Sequence, residues 1–215
     1  MTQTGVLMVN PCKPRPLVPT LIADGYFCGA NQCPSPNVNA RPKDGDISLL
    51  VIHNISLPPG KFGGGFVQQF FCNQLDPTLD PYFAEIAAMR VSSHLLIERT
   101  GCVTQFVDFN QRAWHAGQSI FVGRKDCNDF SIGVELEGTD NIPYTSQQYS
   151  ALAEVSAALM LTYPSITPER IIGHEHIAPK RKTDPGAAFD WAYYAELTSI
   201  KSKALNQQIN KELPV

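Results

Sequence analysis

The sequence predicts a single α/β domain on a mixed sheet, and three features carry that expectation. The short, nearly continuous apolar run "ISLLVIHN" (47–54) has the composition of a strand buried on both faces, and "DFSIGVELEG" (129–138) reads as another strand. Two amphipathic helical patterns follow them. A length of 215 residues with 43% hydrophobic and 17% charged content suffices for one buried core, and no internal repeat is visible.

Residues 1–21 are Pro-rich and unpatterned and are expected to form an irregular N-terminal arm; the segment to about 46, dense in Pro, Asn, Asp and Gly, is expected to be irregular as well. The first apolar run then reads as a strand ending near His53. "LPPGKFGGG" reads as a loop and "FVQQFFCNQL" as a short helix. "SSHLLIERTGCVTQFVD" reads as two strands about a Thr100–Gly101 turn. In "DFSIGVELEG" Ile132, Val134 and Leu136 share one face of a strand and Gly133, Glu135 and Glu137 the other. "TSQQYSALAEVSAALMLTYP" opens on a capping box, Thr145 with Gln148. It carries an apolar stripe through Tyr149, Leu152, Val155, Leu159 and Met160, and stops at Pro164. "FDWAYYAELTSIKSKAL" predicts a second helix with Asp190 as a candidate N-cap. The domain is expected to span 22–205, with a tail over 206–215.

A net charge of −3 and a pI near 5.9 argue against a nucleic-acid partner, and the cluster Lys180, Arg181, Lys182 is too short to reverse this. No apolar stretch is long enough to span a membrane. The first residues lack the basic and apolar regions of a signal peptide. The six cysteines (Cys12, Cys28, Cys33, Cys72, Cys102, Cys127) show no CxxC spacing, so reduced thiols are expected, with a Cys28–Cys33 bridge left open by spacing. These features together point to the cytoplasm.

The chemistry concentrates in "GHEHIAPKRKTDPG" (173–186). Of the five histidines, His53 and His174 follow the apolar runs "LLVIH" and "RIIGH", so each can project from a strand end into a common cleft. Taken singly, such a histidine is more often a hydrogen-bonded residue at a core edge. A catalytic zinc takes three protein ligands and leaves one position open, and His53, His174 and Asp184 satisfy that inventory, with Pro179 and the Asp184-Pro185-Gly186 turn allowing the chain to return. There is no HExxH helix. His176 is an alternative ligand or a bystander. Either Glu135 or Glu137 offers a base, Glu135 lying deeper in its run, and Lys182 offers charge for a developing oxyanion.

Four blocks, "LLVIHNISLPPGKFGG", "RVSSHLLIERTGCVTQFVDFNQRAWHAG", "CNDFSIGVELEGTD" and "GHEHIAPKRKTDPG", occur in an order that closely resembles the cytoplasmic anhydromuramyl branch of the zinc-dependent N-acetylmuramoyl-L-alanine amidases. The resemblance covers residues 22 to about 195, and the wider family includes phage lysozyme-type amidases and peptidoglycan recognition proteins. It implies a central mixed β-sheet flanked by helices, a Zn2+ cofactor on His53, His174 and Asp184, Glu135 rather than Glu137 as the catalytic carboxylate, and Lys182 as the oxyanion partner. Asn54, Arg90, Trp114 and His115 match positions that line the substrate cleft. Asp126 stands where a basic residue is expected, so Arg124 or Lys125 is the candidate carboxylate clamp. The implied activity is hydrolysis, by zinc-activated water, of the amide between 1,6-anhydro-N-acetylmuramic acid and L-alanine of muropeptides. The setting it implies is cytoplasmic peptidoglycan recycling by a monomer, with no membrane partner, and loss of the protein is expected to raise β-lactamase induction. Two alternatives share the resemblance: an amidase of intact peptidoglycan, of phage or secreted type, and a non-catalytic peptidoglycan-binding module. Binding modules lose a zinc ligand, whereas all three ligand positions are filled here.

Overall fold

The chain enters the fold through four short strands, β1 (Ile22–Ala23), β2 (Tyr26–Phe27), β3 (Asn31–Gln32) and β4 (Val38–Ala40). This computed structural model describes residues 21–212, with side chains to residue 208, so residues 1–20 of the expected arm lie outside the described residues. The expectation of an irregular segment to residue 46 is corrected by these strands. β1 and β2 form a hairpin whose turn residues, Asp24 (φ 48°) and Gly25 (φ 79°), are both left-handed. An Asp-Gly pair suits such a turn because its twist matches that of the flanking strands.

β5 (Leu49–Ile55) is the first apolar run. α1 (Phe66–Phe71) is shorter than its sequence pattern, ending where Asn73 turns to φ 58°. α2 (Pro81–Ile86) was not expected; Asp80 caps it by accepting from the Tyr82 N–H at 2.9 Å, and Pro81 occupies its first turn. β6 (Leu95–Ile97) and β7 (Val103–Gln105) are the hairpin about Thr100–Gly101. β8 (Gln111–Ala113) pairs with β4, and β9 (Ile120–Phe121) with β10 (Arg124–Lys125), both antiparallel. β11 (Ser131–Glu137) is buried along its whole length. α3 (Ser146–Thr162) starts with the full Thr145/Gln148 capping box. β12 (Ile171–Gly173) runs straight into the one-turn helix α4 (His174–Ile177). α5 (Trp191–Glu212) begins at Asp190, whose Oδ1 accepts from the Tyr193 N–H at 2.9 Å, and continues through residues expected to form a tail from 206.

One six-stranded sheet has the order β12-β5-β11-β6-β7-β3. Its first four strands are mutually parallel, β7 is antiparallel to β6, and β3 is parallel to β7, so the sheet is mixed. On one face Leu50, Ile52, Ile132, Val134 and Leu136 pack against Leu152, Val155 and Leu159 of α3 and Tyr194 of α5. A Ser156–Tyr194 hydroxyl contact of 2.6 Å joins the two helices. On the other face Leu49 and Val51 meet Ala116, Cys127, Phe130 and Ile177, while Phe70, Phe71 and Phe83 of α1 and α2 cluster with Leu96 and Phe106. Burial on both faces is why the run of β5 is nearly continuous, whereas β11 alternates, its Ile132, Val134 and Leu136 in the core and its polar residues buried on the face of the site. Truncating a side chain such as Ile52, fully buried here, to alanine would cost about 2–5 kcal/mol.

Five cysteines among the described residues are free thiols. The spacing that left Cys28–Cys33 open is not realised: Cys28 is exposed, and Cys33 lies against Cys72.

Candidate metal centre

The sheet register assembles the site. Glu135 is paired with His53 across β11 and β5, and Gly173 with Ile52 across β12 and β5, so His174 arrives level with His53 at the C-terminal ends of parallel strands. Crevices at such strand ends are where open α/β sheets bind ligands. Asp184 is brought back by the chain after α4. The Glu175 N–H donates to the Asp184 carbonyl at 3.0 Å, and the Pro185 carbonyl accepts from Asn54 Nδ2 at 3.1 Å and the Tyr144 hydroxyl at 2.8 Å. Gly186 (φ 79°) lets this loop pass Asp140, where a Cβ would lie 2.2 Å from the Asp140 Cα.

Nδ1 of His53 and Nδ1 of His174 lie 3.0 Å apart, and Asp184 Oδ2 lies 3.1 Å and 3.0 Å from them. Tetrahedral ligands at zinc distances of about 2.0–2.1 Å sit roughly 3.3 Å from one another, so this triangle fits such an ion with little relaxation. Among the described residues these three form the cluster suited to hold a metal.

Their surroundings orient the lone pairs inward. His174 Nε2 is 3.1 Å from the Ala116 carbonyl, which only accepts, so Nε2 carries the proton and Nδ1 is left as a ligand. His53 is set by a longer relay. The Ser131 hydroxyl donates to the Cys127 carbonyl at 2.6 Å and therefore accepts from His115 Nε2 at 3.1 Å; His115 Nδ1 then accepts from His53 Nε2 at 2.9 Å. His53 Nδ1 is thereby left unprotonated. Partners of this kind are what hold metal-binding imidazoles. Gly133 makes room for the relay, since a Cβ there would lie 2.5 Å from His115 Cγ.

Burial pushes His53 down to about 4, His174 and Lys182 adding repulsion and Asp184 opposing it; burial and then His53 depress His115 in the same way. Neutral imidazoles are the ligating form. Burial opposes ionisation of Asp184, yet its close contacts with the His174 and His53 rings hold its carboxyl far below the usual range.

Glu135 and Glu137 differ sharply. Glu137 accepts from the backbone N–H groups of Gly63 and, at 3.1 Å, Arg99. Glu135 Oε2 is buried with no hydrogen-bond partner, and burial, reinforced by the charge of Asp184 and opposed by Lys182, drives its carboxyl well above the usual range. An orphaned buried oxygen is uncommon and marks a group kept for a ligand or a proton.

The cleft has a volume of about 660 Å³. His53, Asn54, Trp114, His115, Glu135, His174, Lys182 and Asp184 all line it, with Phe70, Phe71, Tyr82 and Ile86 of α1 and α2 as an apolar wall. Asn54 also anchors the Asp184 loop, donating to Asp140 Oδ1 at 2.8 Å besides Pro185. Trp114 Nε1 donates to Asn39 Oδ1 at 2.6 Å.

Arg90 is exposed between the cleft-lining Met89 and Val91, and its Nη1 donates to the Ala87 and Met89 carbonyls at 3.2 and 3.1 Å, just beyond α2. Arg124 does not serve as the clamp: it grips Asp46 at 3.1 and 2.5 Å and stacks 3.8 Å from the Phe130 ring centroid. Lys125 is exposed outside the cleft lining, and Asp126 sits in a left-handed turn at φ 58°. Arg181 lines the cleft, its Nη2 donating to the Ala116 and Gln118 carbonyls at 2.8 and 2.6 Å. His176 lies on α4, is largely exposed, and sits 3.5 Å from Glu175 Oε1. His94 is a satisfied core histidine, accepting from the Gly133 N–H at 3.0 Å and donating to the Gln111 carbonyl at 3.1 Å. Sequence reasoning missed Ser131, Asn128, which holds the His115 and Ala116 N–H groups at 3.0 and 2.8 Å, and Tyr144.

Residues 43–187 match the family described as N-acetylmuramoyl-L-alanine amidase. The chain belongs to that amidase family. The amidase is 56% identical over 180 residues to the 1,6-anhydro-N-acetylmuramyl-L-alanine amidase AmpD of Haemophilus influenzae, covering 84% of this chain and 97% of the relative. The crystal structure of a selenomethionine AmpD derivative superposes with a TM-score of 0.80 at 53% identity, covering 82% of this chain and 98% of that one. AmiD of Escherichia coli in complex with anhydro-N-acetylmuramic acid-L-Ala-D-γ-Glu-L-Lys superposes with a TM-score of 0.53 at 27% identity, covering 82% of this chain and 65% of that one. The mixed sheet flanked by helices is therefore the family fold. Among the described residues no helix of the amidase is long and apolar enough to cross a membrane.

Proposed function

We propose that this amidase hydrolyses the amide joining 1,6-anhydro-N-acetylmuramic acid to L-alanine in free muropeptides, as a zinc-dependent monomer of cytoplasmic peptidoglycan recycling. The observation that carries the chemistry is the inward-facing triangle of His53, His174 and Asp184 beside the unpartnered Glu135 oxygen. The substrate class rests on the relatives: one is named for this amide, and AmiD binds an anhydromuramyl peptide in its complex. Scattered cysteines without a bridging pattern support a reducing compartment.

His53, His174 and Asp184 would hold zinc, which when bound supplies the Lewis acidity that lets water lose a proton near neutral pH. His115 with Ser131, and the Ala116 carbonyl, keep the two imidazoles in the ligating tautomer. Glu135 takes the proton of the attacking water at Oε2 and passes a proton to the departing alanine nitrogen; a carboxyl whose pKa is raised toward the working pH suits both halves of that shuttle. Lys182, on the rim, stabilises negative charge on the amide oxygen. Trp114 and the Phe70–Phe71 wall provide apolar surface for the sugar and exclude water. Arg181, which lines the cleft while its Nη2 donates to the Ala116 and Gln118 carbonyls at 2.8 and 2.6 Å, takes the stem-peptide carboxylate.

The test is to incubate the protein with anhydromuramyl tripeptide and, separately, with intact murein, each with and without chelator, following released peptide by mass spectrometry. Chelator-sensitive cleavage strongly favouring the free muropeptide is expected; equal cleavage of both substrates overturns the recycling assignment.

A further inference from the structure

Away from the cleft, two thiols distant in sequence meet. Cys33, just after β3, and Cys72, capping α1, are 39 residues apart, and their Sγ atoms lie 3.3 Å from each other. Both backbones are fixed. The Cys33 N–H donates to the Gln105 carbonyl at 2.9 Å and the Cys72 N–H to the Gln68 carbonyl at 3.0 Å. Between the two segments, Ser35 Oγ and Asn37 Nδ2 both donate to the Phe71 carbonyl, at 2.5 and 3.3 Å. The sulfurs therefore face each other because the surrounding fold is already docked. A disulfide needs an S–S separation of about 2.0 Å, so closure requires an approach of roughly 1.3 Å, within reach of small side-chain rotations. Each cysteine is half-buried, so a small oxidant has access, whereas Cys102 and Cys127 are buried.

We propose that Cys33 and Cys72 form a peroxide-sensitive dithiol that closes into a reversible disulfide, stapling the end of α1 to the segment after β3. Cys72 Sγ lies 3.9 and 3.7 Å from the Cys33 and Pro34 carbonyls, which only accept, so Cys72 keeps its proton; its contact lowers the Cys33 thiol to about 7, with burial opposing. Cys33 is the attacking sulfur. Its thiolate attacks one oxygen of a hydroperoxide, the O–O bond breaks, and the other oxygen leaves as hydroxide or alkoxide, generating a sulfenic acid. The Cys72 sulfur then attacks Cys33 Sγ, the S–S bond forms, the S–O bond breaks, and water leaves with the Cys72 proton. The peroxide gains two electrons and the thiol pair loses two; a small-molecule dithiol reverses the reaction by exchange. Because α1 supplies Phe70 and Phe71 to the cleft wall, the staple would stiffen one side of the binding site.

The test uses the full-length chain and does not depend on its amidase activity. The protein is titrated with hydrogen peroxide, remaining thiols are blocked, and peptides are mapped by mass spectrometry. A Cys33–Cys72 linked peptide two hydrogen atoms lighter is expected, with two of the six cysteines lost to blocking and both restored by dithiothreitol. Cys28→Ser should leave the link intact. Cys72→Ser should leave a Cys33 sulfenic acid that dimedone traps, and Cys33→Ser should leave Cys72 reduced. The rate of the first step should rise as pH passes through about 7. Oxidation of Cys28 ahead of any link, pairing of Cys33 with another cysteine, or separate over-oxidation of Cys33 and Cys72 would each overturn the proposal. Unchanged hydrogen exchange in α1 after oxidation would overturn the staple.

Discussion

Glu135→Gln separates catalysis from metal binding and folding in one substitution. Glu135 is not one of the three ligating groups, so the variant should retain metal, while loss of the proton shuttle should lower kcat by about 10²–10⁴-fold. Stability should move the other way. The folded-state pKa of Glu135 is raised, so the folded chain binds its proton more tightly than the unfolded chain does. The favourable contribution is complete below the unfolded value of about 4.3 and is lost as pH rises through the folded value. Above the unfolded value the wild type thus bears the cost of burying an ionisable carboxyl, which an uncharged glutamine removes. Relief of about 1–3 kcal/mol corresponds to a rise of roughly 2–10 °C in Tm for a chain of this size. The measurements are metal content by mass spectrometry, Tm of the chelator-treated protein at pH 7.5 and pH 4.5, and kcat on anhydromuramyl tripeptide. The Tm gap should narrow at the lower pH. A kcat within tenfold of wild type, or a lower Tm accompanied by loss of metal, would refute the assigned role.

Asp184→Ala should abolish stoichiometric metal binding, and full metal retention after dialysis would displace Asp184 from the ligand set. Ser131→Ala removes the acceptor that fixes His115 and, through it, His53; metal affinity measured by competition with a chromophoric chelator should weaken about 10–100-fold. Arg90→Ala should leave kcat/KM essentially unchanged, whereas Arg181→Ala should raise KM about tenfold or more through loss of a charge-assisted contact. In chelator-treated protein the Glu135 carboxyl, followed by NMR, should titrate well above the ordinary glutamate range, because burial and the charge of Asp184 disfavour its ionisation; an ordinary position would contradict the role of burial.

Local physics made much of the fold legible. β5 stands out because burial on both faces admits only apolar residues along most of the strand, and β11 because Ile132, Val134 and Leu136 alternate with the residues of the site. α3 announces itself through a capping box whose two hydrogen bonds both form. α2 and the β1–β2 hairpin carried signals of the same kind, Asp80-Pro81 and Asp24-Gly25, but each element is so short that periodicity could not reinforce them. Composition alone reads residues 22–27 as irregular, and no pattern assigns residues 81–86.

The site divides along the same line. His53, His174 and Glu135 sit where the ends of parallel strands place them, and strand ends are readable; Asp184 comes from the loop returning after α4, which its Asp-Pro-Gly turn signals. Arginine side chains are not readable, because a guanidinium on a long flexible stem takes whichever acceptors three-dimensional packing offers. For Arg90 these are the carbonyls just beyond α2, and for Arg124 the carboxylate of Asp46. Asn128 and Ser131 were illegible for a related reason: each is a buried polar residue whose partners lie on another segment.

β11 shows why such residues matter. Its outward-alternating positions serve four adjacent tasks on one face: Ser131 orients His115, Gly133 leaves space for the imidazole, Glu135 enters the cleft, and Glu137 ties down the loops of Gly63 and Arg99. The intervening Ile132, Val134 and Leu136 lie in the core beneath α3. A one-residue slip would therefore bury two carboxylates against leucines and aim aliphatic groups at the ligand triangle. The register is protected because the same residues that specify the hydrophobic core also determine the spacing of the catalytic face. Fold stability and site geometry are thus one constraint on this strand, and the freedom to tune the chemistry lies in the loops that deliver His115, Lys182 and Asp184.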